Sequence, residues 1–98
     1  MQLEQLEIFV AVDRCGSFTA AAKQLYISHS TTSRAISALE DELGVRLFYR
    51  GNRVKGLTAA GETLLEEAEK LLDAAEAAIT RVKAAAERET SNMGEKEK

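Results

Sequence analysis

Residues 17–53, SFTAAAKQLYISHSTTSRAISALEDELGVRLFYRGNR, decide how the rest of this chain is read. Ser17 is a strong helix N-cap, and Phe18, Ala21, Ala22 and Leu25 follow at i, i+3, i+4 and i+7. That spacing predicts a helix of about two turns with one face buried. Tyr26 and Ile27 make a turn. Ser28 is a second N-cap, and it opens a helix that runs to Leu43 and is closed by Gly44, a residue that takes up the left-handed conformation of a helix end at little steric cost. In this helix Ile36, Leu39 and Leu43 form the stripe expected to be buried, while Ser30, Ser33, Arg34 and Ser37 share the opposite side. Beyond Gly44, residues 45–49 and 53–57 are rich in β-branched and aromatic side chains. They flank Gly51-Asn52, a pair suited to the positive φ angles of a two-residue hairpin turn. Two short helices joined by a tight turn and followed by a small basic hairpin make the layout of a winged helix-turn-helix.

Upstream, Leu3, Leu6, Phe9 and Val10 recur at helical spacing over residues 3–14, and Gly16 ends that helix. Downstream, Thr58 caps a long helix rich in Ala, Leu and Glu that is expected to run to about Arg88. Its apolar positions Leu65, Ala68, Leu72, Ala75, Ile79 and Val82 alternate steps of three and four, a heptad seam, and Leu64, Leu71, Ala78 and Ala85 widen it. A stripe of that length exceeds what a small domain covers by itself. Those six positions are therefore read as a homodimer interface. Residues 90–98 are polar and aperiodic and are expected to be disordered. The chain divides into a winged helix-turn-helix over 1–58, a linker and dimerisation helix over 59–89 and a tail over 90–98. The fold class is mainly α, three helices plus a two-stranded wing, followed by the long dimerisation helix.

With 98 residues, 45% of them hydrophobic, the chain can bury one modest core. No apolar run approaches the roughly 18 residues of a membrane span, and no charged and then apolar leader opens the sequence. No membrane association and a cytoplasmic location are expected. Cys15, the single cysteine, cannot form an internal disulfide and reads as a small packed residue. One histidine and one cysteine cannot supply an ordinary zinc set, and neither a phosphate-binding glycine loop nor a catalytic constellation occurs, so no enzyme, cofactor or metal site is expected.

The net charge of −3 conceals a gradient. Residues 1–27 carry −1, residues 28–58 carry +2 and residues 59–98 carry −4. Positive charge is concentrated where the two helices and the hairpin lie, and a local basic face matters more to a phosphate backbone than the total does. The Arg34 guanidinium fork suits guanine O6 and N7 or a phosphate, and the hydroxyls of Ser30, Thr31 and Ser33 can donate to either. His29, in the first turn of the same helix, can meet a base edge, or can simply be an exposed helix-start residue. Arg50 and Arg53 bracket the hairpin tip, where a basic side chain reaches phosphate or the minor groove. Double-stranded DNA is the partner these residues fit.

A resemblance supports that reading. The run Gly16-Ser17-Phe18-Thr19-Ala20-Ala21-Ala22 with Leu25, then Ile27-Ser28, Ser33-Arg34, Ile36, Leu39-Glu40, Leu43-Gly44-Val45-Arg46-Leu47-Phe48, Arg50, Arg53, Leu57-Thr58 and Ala60-Gly61 resembles the N-terminal region of LysR-type transcriptional regulators across residues 3–72. The resemblance implies a third helix in the major groove, a wing at the flanking minor groove and a long helix paired with its twofold mate. It assigns the DNA contacts to His29, Ser30, Thr31, Ser33, Arg34, Arg50 and Arg53. His29 and Ser30 stand where glutamine and proline are common, and Thr32 where an aliphatic residue is common; these changes bear on the operator rather than the fold. Gly56 is unusual in the second wing strand and is expected to loosen the hairpin. Such regulators normally continue into a ligand-binding domain, and here only a polar tail follows, so no small-molecule ligand is expected for this chain. Two functions remain open at this point: a homodimeric sequence-specific DNA-binding regulator, or an interaction module that sequesters a longer relative through the acidic helix.

Overall fold

The computed structural model describes residues 1–50 and 54–96, with side chains outside 50–55 and 91–98. Its elements are α1 (Leu3–Cys15), α2 (Phe18–Leu25), α3 (His29–Leu43), β1 (Phe48–Arg50), β2 (Val54–Leu57) and α4 (Ala59–Lys96). The first three helices begin and end where local chemistry dictates. Gln2 and Gln5 form a reciprocal capping box on α1. Ser17 Oγ accepts from the Ala20 N–H at 3.0 Å, and Ser28 Oγ accepts from the Thr31 N–H at 3.0 Å. Gly16 and Gly44 close α1 and α3 at φ 70° and 69°.

α1 is the centre of the core, with α2, α3 and α4 all packed on it. Ile8, Phe9, Val10, Ala11 and Val12 are consecutive and all buried, because a helix with neighbours on three sides has no solvent face in its middle. Phe48 of β1 stands 5.3 Å from the Phe9 ring and 6.3 Å from the Phe18 ring, centroid to centroid, which ties the root of the wing to α1 and α2. Each such pair contributes about 0.5–1.5 kcal/mol beyond the area it buries.

The buried face of α3 is formed by Thr32, Ala35, Ile36, Leu39 and Glu40. Ile36 and Leu39 are inside as expected. Leu43 is not: it is 41% exposed, at the last residue of α3. Thr32 takes an interior position on the same side, its hydroxyl satisfied by donation to the Ser28 carbonyl at 3.1 Å.

Two further differences concern the wing and α4. β1 starts at Phe48 rather than at Val45, because residues 45–47 are bound to α3 and α4 instead of to β2, as described below. β2 pairs antiparallel with β1, Phe48 opposite Leu57 and Arg50 opposite Val54, so β2 holds one more residue than β1 between those pairs. The surplus is a β-bulge, and Gly56 supplies its backbone at φ 123°, a conformation that L side chains rarely adopt. Gly56 thus fits its place rather than loosening the hairpin. α4 continues through Lys96 instead of stopping near Arg88, since residues 88–96 include no proline and the single glycine there costs a helix only about 1 kcal/mol.

The turn between α2 and α3 contains one strained residue. Tyr26 closes α2 at φ 59°, the only non-glycine with positive φ among the described residues, and it is 95% exposed. The Ile27 N–H completes the turn by donating to the Ala22 carbonyl at 3.0 Å. Left-handed backbone costs an ordinary side chain roughly 1–2 kcal/mol, and glycine gives back about half of that through its greater freedom when unfolded. With no packing to lose, Tyr26→Gly is expected to stabilise the fold by about 0.5–1 kcal/mol in a chemical denaturation midpoint. A lower midpoint would show that the exposed ring makes a contribution these contacts do not account for.

Candidate nucleic-acid interface

The residues singled out by their chemistry occupy the first two turns of α3. Ser30 and Arg34 lie one helical turn apart, as do His29 and Ser33, so all four fall on adjoining faces. His29, Ser30 and Arg34 are exposed; Thr31 and Ser33 are half-buried. The His29 ring lies against Phe18, centroids 6.2 Å apart and planes tilted by 38°, so the first turn of α3 is steadied by the start of α2. Thr31 is less free than its sequence suggests. Its hydroxyl shares a 2.9 Å hydrogen bond with Ser28 Oγ, within the cap itself.

Arg34 sits above a shallow groove between the start of α1 and α3, whose lining includes Glu4, Gln5, Ile8, Thr31 and Ala38, with Glu4 beyond ion-pair distance of the guanidinium. Among the described residues no carboxylate pairs with it. An exposed guanidinium without an internal partner keeps its full hydrogen-bonding capacity for something outside. The Arg50 side chain and all of Arg53 lie outside the described residues, as does the Gly51-Asn52 turn.

What holds this face in register with the wing is a feature that spacing alone did not suggest. Residues 46 and 47 form a strip bonded on both sides. On one side the buried carboxylate of Glu40, 8% exposed, accepts the Leu47 N–H at 2.9 Å, and the Arg46 guanidinium stands 3.6 Å from its other oxygen. On the other side Thr58 donates its hydroxyl to the Arg46 carbonyl at 2.6 Å and its N–H to the Leu47 carbonyl at 3.0 Å. The same Thr58 Oγ1 accepts the Gly61 N–H at 3.0 Å, which makes it the N-cap of α4. Gly61 packs so tightly on the strip that an added Cβ would lie 2.1 Å from the Leu47 carbonyl oxygen. A glutamate followed by Leu47 seven residues later gives no periodic signal, but a threonine directly before a run rich in Ala, Leu and Glu reads as an N-cap, and it marks half of this arrangement.

The six seam positions of α4 divide into two groups. Ala68 is fully buried within its own domain, and Leu65 and Leu72 are half-buried against the same core. Those three are spent on α1. Ala75 is half-buried, while Ile79 and Val82 are 54% and 67% exposed. Leu71, 41% exposed, lies one turn before Ala75 and extends the uncovered part of the stripe.

A three-helix core with an exposed polar face on its third helix, a two-stranded wing and a long trailing helix defines a winged helix-turn-helix. Residues 3–62 match the family described as bacterial regulatory helix-turn-helix protein, lysR family, and the chain belongs to it. It is 44% identical over 93 residues to the HTH-type transcriptional regulator ClcR of Pseudomonas putida, covering 95% of this chain and 32% of that protein. It is also 50% identical over 72 residues to the probable regulator LrrA of Synechococcus elongatus, covering 74% of this chain and 24% of that one. Among solved structures it is similar to the CbnR DNA-binding domain in complex with DNA, with TM-score 0.83, 42% identity, and 88% and 99% of the two chains covered. The BenM DNA-binding domain bound to catB site 1 DNA gives TM-score 0.82 and 39% identity, with 88% and 96% covered. The chain spans about a third of the length of ClcR and a quarter of LrrA.

Proposed function

We propose that this chain is a homodimeric, sequence-specific DNA-binding module of a transcriptional regulator. Its α3 enters the major groove and its wing lies at the flanking minor groove. The observation that carries the reading is the outward face of α3, where Ser30, Ser33 and an Arg34 with no ion-pair partner among the described residues stand together on a scaffold that closely resembles two domains solved with DNA. Small hydroxyl residues let a helix settle deeply, and the guanidinium fork then meets a base edge. Arg50 and Arg53 are proposed to hold the wing to the backbone or minor groove. No helix among the described residues is long and apolar enough to cross a membrane, and the proposed place of action is the cytoplasm, where the DNA is.

Dimerisation is supported by what α4 leaves uncovered. Leu71, Ile79 and Val82 are large apolar side chains of α4 that its own domain leaves exposed. Charge favours one orientation of a pair. Between Glu62 and Glu76 the helix carries six acidic residues and one lysine, whereas residues 77–90 carry Arg81, Lys83 and Arg88 against Glu87 and Glu89, a net +1. Antiparallel pairing sets the acidic first part of each helix against the basic second part of the other, and parallel pairing would stack acid on acid.

The test is selection of bound fragments from a random DNA pool, followed by titration of the selected site at several salt concentrations. Recovery of a dyad-related pair of half-sites is expected, with log affinity falling by about 0.9 per neutralised phosphate for each unit of log salt. Affinity that ignores salt would refute contact with the backbone. Capture of a longer relative without any DNA preference would favour the sequestering alternative.

A further inference from the structure

We propose that Thr58 is a positioning residue that sets which half-site spacing a dimer of this chain accepts. The inference rests on the dimeric reading above and adds to it a physical link between dimer and recognition helix. α4 meets the rest of the domain chiefly through α1, by way of Leu64, Ala68 and their neighbours, and such apolar contacts tolerate small rotations. Apart from an exposed ion pair between Arg14 and Glu69 at 3.6 Å, the directional bonds are at the strip. Glu40, on the last turns of α3, holds the Leu47 N–H, while Thr58, at the root of α4, holds both the Arg46 and the Leu47 carbonyls. A two-residue segment of backbone is thereby stapled to the recognition helix on one side and to the dimerisation helix on the other.

The consequence is geometric. If two chains join through the outer part of α4, the separation of their α3 helices follows from the angle between α4 and α3 in each. Residues 79–82 lie about 30 Å along α4 from Thr58 at 1.5 Å per residue, so a tilt of about 10° at the root moves α3 by about 5 Å relative to the pairing region. One added base pair separates two half-sites by about 3.4 Å and turns one about the duplex by about a tenth of a turn. The stiffness of the strap is therefore of the right scale to accept one spacing and reject its neighbours.

Thr58 makes two separable contributions, one as a cap acceptor for Gly61 and one as a donor to Arg46, and substitutions can part them. Thr58→Asp keeps an acceptor for the Gly61 N–H and suits a helix start, but it has no proton to give the Arg46 carbonyl. Thr58→Ser keeps both. The experiment measures the affinity of the wild type and both variants for the selected operator, for the same operator with one base pair added or removed between half-sites, and for a single half-site. Sedimentation fixes the oligomeric state, and thermal melting confirms that each variant is folded.

With affinities normalised to the single half-site, the wild type is expected to lose about tenfold or more on a one-base-pair change of spacing. Thr58→Asp is expected to lose no more than about threefold, and Thr58→Ser to behave as the wild type. Thr58→Val, which removes both bonds, serves in place of Thr58→Asp should the latter melt below the assay temperature. A spacing profile as steep in the variant that lacks the hydroxyl donor to Arg46 as in the wild type would overturn the proposal, and so would a uniform loss that leaves the profile unchanged. A chain that binds the operator with full affinity as a monomer would overturn the dimeric reading and this inference with it, an outcome the sedimentation arm makes distinguishable.

Discussion

Gly61→Ala is expected to destabilise the fold by about 3 kcal/mol, a fall of roughly 12–24 °C in thermal midpoint for a domain of this size. The direction is opposite to what helix propensity alone would give. Gly61 lies in the first turn of α4, and replacing a helical glycine with alanine ordinarily gains up to about 1 kcal/mol. Here the new methyl would fall 2.1 Å from the Leu47 carbonyl oxygen and 3.0 Å from Leu57 Cδ2. The side chain of Leu57 can turn aside. The carbonyl cannot, because that same oxygen accepts the Thr58 N–H and the Leu47 N–H is held by Glu40. Relief requires α4 to lift from the strip, which also draws Leu64 and Ala68 away from α1. Circular dichroism melting of the variant beside the wild type decides the matter. A midpoint equal to or above that of the wild type would mean that α4 does not approach the strip as closely as described.

That position also illustrates where the sequence was informative and where it was silent. The ends of α1, α2 and α3 were readable because each is written in a local code: Ser17 and Ser28 as acceptors, Gly16 and Gly44 as left-handed closers. The buried stripe was readable at Ile36 and Leu39 and misleading at Leu43, since periodicity says which face a residue is on but not how far the neighbouring helix extends. Residues 45–47 look like the start of a strand by composition. The bonds of Arg46 and Leu47 go instead to Thr58 and Glu40, partners twelve and seven positions away that no short-range pattern pairs. The heptad seam is continuous in sequence and divided in space, Leu65, Ala68 and Leu72 covered by the core and Ile79 and Val82 exposed, because α1 is only 13 residues long. For the face of α3 proposed to meet DNA, the sequence shows the residue types and only packing shows which of them are already engaged. Thr31 has its hydroxyl engaged by Ser28, whereas Arg34 has no ionic partner among the described residues, and only packing could distinguish the two.

Arg34→Ala is expected to weaken binding to the selected operator by about 1–3 kcal/mol per half-site, and by about twice that on the full dyad, because a dimer loses both guanidinium groups at once. Two outcomes of the same substitution separate base reading from backbone contact. If Arg34 pairs with a base edge, the variant relaxes discrimination at one position of each half-site while its affinity for unrelated DNA changes little. If it meets only phosphate, affinity falls by a similar factor on every sequence, and the salt slope drops by about one per copy. The geometry favours the first. Arg34 lies one turn into α3 from Ser30, on a stretch whose neighbours His29, Ser30 and Ser33 are short or slender enough to let the helix sit low in a groove. A lysine at this position tests the point further, since Arg34→Lys keeps the charge but loses the planar fork. It should restore most of the salt dependence and little of the base preference. A preference profile for Arg34→Ala identical to that of the wild type would take Arg34 out of sequence readout and leave recognition to the hydroxyl residues and the wing.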